Sequence, residues 1–126
     1  MFEITVDGVA YPLRFGMGFL REINRTVQTP VDGAPGVKNS VGLRHMAGRL
    51  IDGQVEALLE VIYLANKTES PRLTMQALEA WVEDEGTDID EEFDRVMDFL
   101  RTANATKKEV RLLEEVVAKS LAAAEE

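Results

Sequence analysis

Eight carboxylates fall between positions 83 and 94: Glu83, Asp84, Glu85, Asp88, Asp90, Glu91, Glu92 and Asp94. Carboxylates at this density raise the question of Ca²⁺ or Mg²⁺ binding. An EF-hand loop needs its glycine sixth, after oxygen ligands at the first, third and fifth positions. With Gly86 sixth, the first position is Trp81, so the loop fails. Acidic residues also suit helix starts, where they meet the positive end of the helix dipole. The expectation is a solvated or partner-facing acidic surface, with no metal site. His45 is the only histidine, with Ser40 nearby. A catalytic triad is defined by geometry and roles, and one serine with one histidine does not establish it. The chain has no cysteine, which excludes a thiolate zinc site, a disulfide framework and a cysteine nucleophile. Gly16-Met17-Gly18 stands between strand-like and helix-like segments, as a dinucleotide fingerprint does. The place of its third glycine is Arg21, and a glycine-proline stretch follows instead of a second strand. A tight strand-to-helix turn is expected there. Lys107, Lys108 and Arg111 are too few, and too surrounded by acid, for a nucleic-acid surface. No catalytic residue and no cofactor are expected.

The elements that carry these residues are legible from periodicity. Phe2, Ile4 and Val6 alternate with Glu3 and Thr5, Asp7-Gly8 follows, and Val9, Tyr11 and Leu13 resume the period of two. Asp-Gly is a favoured pair for a type I′ hairpin turn. Pro12 cannot donate to a ladder and belongs at an edge. A lone hairpin is barely stable in water, so it must lie on helices or pair further. Helical spacing then runs from Met17 to Val27, with Phe19, Leu20, Ile23 and Val27 on one stripe. Residues 28–40 hold two prolines and two glycines and predict an irregular loop. Helical patterns follow at Val41–Ile51, Gln54–Asn66, Met75–Glu85, Asp90–Ala103 and 107–124. Asp52, Thr74, Asp90 and Thr106 are their expected caps. The Gln54–Asn66 segment is apolar on most sides, as a helix buried on several faces would be. The last helix has an apolar stripe of Val110, Leu113, Val117, Leu121 and Ala124. Its two readings are packing on the chain's own core and association with another chain. The fold class expected is α+β, mostly α: an N-terminal hairpin (1–14) followed by about six helices, in one domain over 1–126 with a helical part at 41–124.

The chain is 126 residues long, with 14 basic and 23 acidic side chains and a formal net charge of −9. A chain this acidic repels phosphate, which argues against general nucleic-acid binding. No run approaches the ~18 apolar residues of a membrane span, and the start lacks a signal-peptide pattern. The cytosol is the expected compartment, and no membrane partner is expected. The charge is uneven: residues 1–51 carry +2, and residues 52–126 carry −11. Three N-x-T sequons, at Asn24, Asn66 and Asn104, fall in or beside helical segments and are read as chance.

Four blocks, in order and over nearly the full length, resemble the tail assembly chaperones of long-tailed phages and prophages of Gram-positive bacteria. They are Met1–Gly8; Phe15–Asn24 followed by Val31–Val37; Leu50–Leu58 continuing into Leu64–Lys67; and Glu83–Asp90 followed by Phe99–Lys108. The resemblance implies a non-enzymatic protein that binds the tape measure protein and keeps its apolar helices soluble. It further implies help in recruiting the major tail tube protein and absence from the mature virion. Self-association into a homo-oligomer is also expected. The apolar residues of the last helix (Val110, Leu113, Val117 and Leu121) are the candidate client contacts. Pro30, Val31, Asp32, Gly33, Pro35, Gly36 and Val37 form the candidate assembly loop. The mildly basic first part could then meet the acidic part of a neighbouring copy. The other reading is a small acidic adaptor or regulatory domain with a different protein partner.

Overall fold

The computed structural model describes residues 2–125 of the chain. Its order is β1 (Phe2–Val6), β2 (Val9–Leu13), α1 (Met17–Arg25), β3 (Gln28–Pro30), β4 (Lys38–Ser40), α2 (Gly42–Ile51), α3 (Val55–Asn66), α4 (Met75–Glu83), α5 (Ile89–Thr102) and α6 (Lys107–Glu125). This is an α+β fold, mostly α, with the hairpin and six helices that the patterns predict. β1 and β2 pair antiparallel from Phe2 opposite Leu13 to Val6 opposite Val9. Asp7 and Gly8 both have positive φ, 51° and 76°, as a type I′ turn requires. Ile4, Val6 and Leu13 turn inward onto the helices. Phe2 stacks against Phe15 and Phe99, with ring centroids 5.5 and 4.7 Å away, and so ties the hairpin to α5.

α3 runs through the centre. Leu58, Val61, Ile62 and Ala65 are fully enclosed, and α1, α2, α4, α5 and β2 all pack on this helix. An amphipathic helix would not need so many apolar positions; this one has neighbours on several sides. α1 and α2 cross closely at Gly42. A Cβ there would overlap the carbonyl oxygen of Ile23 and lie 2.7 Å from the Thr26 hydroxyl. Only glycine lets the two backbones approach this far.

Several boundaries differ from the sequence reading. The stretch 28–40 is not irregular throughout: its ends pair as β3 and β4, from Gln28 opposite Ser40 to Pro30 opposite Lys38. The glycines and one proline lie in the connecting apex, and Pro30 sits in a two-stranded ribbon where its missing N–H does no harm. α1 ends at Arg25 rather than Val27, because Val27 already joins the ribbon, its carbonyl accepting from Val41 N at 2.8 Å. Asp52 does not cap α3. It closes α2, donating its backbone N–H to the Gly48 carbonyl, while Gln54 precedes α3 without a side-chain cap bond. Asp88, two residues before the expected Asp90, caps α5 by accepting from Glu91 N at 3.2 Å. Ile89 is therefore the first residue of that helix, half-buried beside the core with Phe93. Thr74 does cap α4, accepting from Ala77 N at 3.1 Å, and this helix stops at Glu83. The Thr106 hydroxyl points the other way from a cap: it donates to the Leu100 carbonyl at 2.7 Å, closing the end of α5.

Candidate functional site

His45 is exposed on α2, in a shallow cleft of about 360 Å³ with Arg49, Glu60 and Tyr63. Arg49 in that cleft is engaged by Gln54 at 2.8 Å and Glu60 at 3.5 Å. Among the described residues, no three of Asp, Glu and His come together as ligands for a metal ion. Gly16 is the residue before α1, its carbonyl accepting from Leu20 N at 2.9 Å. It makes the strand-to-helix turn expected from the sequence. Among the described residues, no helix is long and apolar enough to cross a membrane.

The last helix divides into an anchored base and a free end. Val110 is 1% exposed and belongs to the core; Leu113 is half-buried against it. Two ion pairs clamp the same turns. Arg44 of α2 meets Glu109 at 2.9 Å, and Arg101 of α5 holds both carboxylate oxygens of Glu114 at 2.9 and 3.0 Å. The Glu114 carboxylate raises the Arg101 guanidinium above its ordinary value, so that charge is fixed throughout the working pH range. Beyond Glu114, no ion pair or side-chain hydrogen bond holds the helix among the described residues. Val117 is half-buried, whereas Val116 and Leu121 are 59% and 62% exposed, and Leu112 is exposed on the outer side of the base. Residues 115–125 span roughly 16 Å of helix at 1.5 Å per residue. The four candidate client contacts from the sequence thus divide: Val110 and Leu113 hold the helix to the fold, while Val117 and Leu121 lead onto the open end. Val116 was not read as part of the stripe. Its spacing of four from Leu112 was the signal for a second apolar row.

The 28–40 segment forms a second exposed feature. Val31 N donates to the Val37 carbonyl at 3.1 Å, and Val37 N to the Ala34 carbonyl at 3.0 Å, so the apex is ordered by its own backbone. Gly33 and Gly36 have φ of 77° and 83°, the left-handed region that favours glycine. Pro30, Asp32, Pro35 and Val37 are exposed; Val31 is partly covered. This ribbon leads directly into α2, and α6 packs along α2, but the ribbon apex and the free end of α6 are separate surfaces.

Two asparagines read as chance sequons tie elements of the fold together. Asn24 Oδ1 accepts from Leu43 N at 3.0 Å and joins α1 to the start of α2. Asn66 is fully buried. Its Nδ2 donates to the carbonyls of Pro12 and Pro71 at 2.9 and 3.0 Å, and its Oδ1 accepts from Leu73 N at 2.6 Å. One side chain therefore joins the end of α3, the hairpin and the 67–74 loop. A lone polar residue on the all-apolar side of the central helix was the available signal.

The acidic segment is exposed along most of α4, the following turn and α5. Glu92 is the exception: burial raises its carboxyl above the ordinary value, and Arg95, 3.4 Å away, opposes that rise. Arg95 also donates to the Glu3 carbonyl at 3.1 Å and lies 5.8 Å from the centre of the Phe99 ring, so its role is to fasten β1 to α5.

Comparison with known proteins adds a family. Residues 3–114 match the model of the phage tail assembly chaperone protein family, TAC. No curated protein and no solved structure matches the chain. The match covers nearly the whole chain, and the chain belongs to this phage tail assembly chaperone family. Membership points to a non-enzymatic protein that binds other tail proteins. Residues 115–125, the free end of α6, lie past the matched part.

Proposed function

We propose that this phage tail assembly chaperone takes the tape measure protein as its client, keeps the client's apolar helices in solution and helps recruit the major tail tube protein. It acts in the bacterial host cytoplasm and leaves before the virion is finished. Family membership is the observation that carries this reading. Two features of the surface support it. The free end of α6 offers Val116, Val117 and Leu121 as a strip on which an amphipathic helix can lie. The net charge of −9 keeps chaperone–client complexes dispersed by mutual repulsion. The client contacts are accordingly Val117 and Leu121, joined by Val116 and Leu112, with Val110 and Leu113 supporting them from the core. Copies of the chain also self-associate, and the exposed 30–37 apex serves that assembly.

Pull-down from infected or induced cells tests the reading. The tape measure protein should dominate what the chain captures. Another protein in its place, with no tape measure protein, would favour the adaptor reading. Deleting residues 30–37 should lower the oligomeric mass; an unchanged mass and unchanged client binding would remove the apex from assembly.

A further inference from the structure

The two antiparallel pairs of the chain differ at their outer edges. In such a pair, residues whose backbone groups bond across the pair alternate with residues whose groups point away from it. In β1–β2 the two-residue turn makes Val6 and Val9 a bonded pair, so Glu3 and Pro12, opposite each other, point outward. Both outward carbonyls are covered. Glu3 accepts from Arg95 at 3.1 Å, and Pro12 accepts from Asn66 at 2.9 Å. This hairpin also packs on α3 and α4.

The β3–β4 ribbon has no such cover. Val31 N donates to the Val37 carbonyl at 3.1 Å, and Val41 N to the Val27 carbonyl at 2.8 Å. These two bonds bracket the ladder and make Thr29 and Asn39 the bonded pair between them. Gln28 and Pro30 of β3 then point outward, as do Lys38 and Ser40 of β4. The β3 edge is interrupted, because Pro30 has no N–H to offer. The β4 edge presents the N–H and the carbonyl of both Lys38 and Ser40. Both residues are exposed, and among the described residues nothing bonds to these outward groups. β3 and β4 pack chiefly on each other. A two-stranded ribbon on its own is marginal in water, and a third strand stabilises it. A row of outward N–H and carbonyl groups is satisfied by an extended chain, whereas a helix uses its own backbone groups internally.

The side chains specify what the added strand carries. Lys38 and Ser40 share one face of the ribbon, and Asn39 shares the other with the flanking Val37 and Val41. Lys38 has no acidic partner at ion-pair distance among the described residues. A lysine on an open edge deters neutral and basic strands and accepts a strand with a carboxylate opposite it. The edge is also separate from the free end of α6, so a strand can pair here while a client helix lies on Val117 and Leu121.

We infer that β4 takes a third strand from the tail tube protein, an extended segment with a carboxylate facing Lys38 and apolar side chains on its other face. The inference rests on the reading that the chain recruits tube subunits while it holds its client. Recruitment to a client-bound chain needs a surface other than α6, and the β4 edge is one that the fold leaves unpaired.

Proline and charge substitutions test it. Purified full-length chain, alone and co-purified with the tape measure protein, is titrated with unpolymerised tail tube protein by calorimetry, and backbone amide exchange is followed. Ser40→Pro removes one outward N–H and leaves the ladder bonds, as Pro30 does on β3. Lys38→Glu reverses the charge. Gln28→Pro makes the proline change on the edge that is already interrupted. Circular dichroism checks that each variant is folded. Tube protein should slow exchange of the Lys38 and Ser40 amides. Ser40→Pro and Lys38→Glu should each weaken its binding about tenfold, and Gln28→Pro should bind as the wild type does. Ser40→Pro and Lys38→Glu chains that both bind like the wild type would overturn the edge while leaving recruitment standing. A wild-type chain with no affinity for tube protein, alone or client-bound, would overturn both. Equal weakening by Gln28→Pro would trace the loss to the ribbon as a whole and overturn β4 as the receiving edge. Loss of self-association in Ser40→Pro, with tube protein binding unchanged, would give the edge to a second copy and overturn the tube protein as its occupant.

Discussion

Replacing Asn66 tests how the hairpin and the 67–74 loop are held on the central helix. Asn66→Asp keeps the size and retains the acceptor for Leu73 N at 2.6 Å. It removes both donors, and a carboxylate oxygen then faces the Pro12 and Pro71 carbonyls at about the 2.9 and 3.0 Å of the native bonds. Each buried carbonyl left unpaired costs about 1–3 kcal/mol. Two give a loss of about 3 kcal/mol or more before the buried charge is counted. Against a domain stability of about 5–15 kcal/mol the variant still folds. With a urea slope of about 2 kcal/mol/M, its midpoint should fall by about 1.5 M at neutral pH. Protonation returns one donor, and burial raises the new carboxyl above its unfolded value. The native variant then binds more protons than its unfolded chain, so its deficit grows as pH rises through that window and narrows below it. Asn66→Leu orphans the Leu73 N–H as well but carries no charge, so its deficit should not follow this titration. Urea unfolding monitored by Trp81 fluorescence at about pH 7 and about pH 4.5 separates the two. A midpoint shift under about 0.3 M for Asn66→Asp, or equal pH dependence in both variants, would refute the role given to this side chain.

Other outcomes follow from the same geometry. Gly42→Ala forces a methyl into the Ile23 carbonyl and should destabilise the chain by about 3 kcal/mol, read as a lowered thermal midpoint. Glu92→Gln removes a charge that burial disfavours. The folded carboxyl sits above its unfolded value, so its unfavourable contribution is present at neutral pH and vanishes as pH falls below the carboxylate range; the variant should be slightly more stable than wild type at about pH 7 and equal to it near pH 3.5. A double-mutant cycle on Arg101→Ala and Glu114→Ala should give a coupling of about 0.5–1 kcal/mol that shrinks in high salt, with faster amide exchange in the first turns of α6.

The parts of the fold that sequence made legible are those set by neighbours a few positions apart. Asp7-Gly8 fixes a hairpin by its own dihedral preferences. The apolar periods of α2 to α6 need no knowledge of the partner helix. Caps were harder where acids are abundant: Asp88 and Asp90 both offer an oxygen to a helix start, and only the packing of Ile89 selects between them. Gln28–Pro30 and Lys38–Ser40 carry no apolar alternation, so their pairing could not be read from either strand alone. Gly42 and Asn66 matter because of Ile23 and of Pro12, 19 and 54 positions away, and chain-local patterns do not record such distances. On the surface, periodicity found the apolar stripe of α6 but not where the body of the protein ends. Val110 and Leu121 look alike in sequence and differ because α2 and α5 cover the base of the helix only.

The central claim is that the free end of α6 holds the tape measure protein. Co-expression of that protein with the wild-type chain or with Val117→Asp and Leu121→Asp together measures it directly, as the fraction of tape measure protein that is soluble and co-purifies. Both positions lie beyond the anchoring ion pairs at Glu109 and Glu114, so the doubly substituted chain should stay folded by circular dichroism. A folded variant that leaves the tape measure protein insoluble is the result predicted. A folded variant that keeps it as soluble and as tightly bound as wild type does would contradict the account.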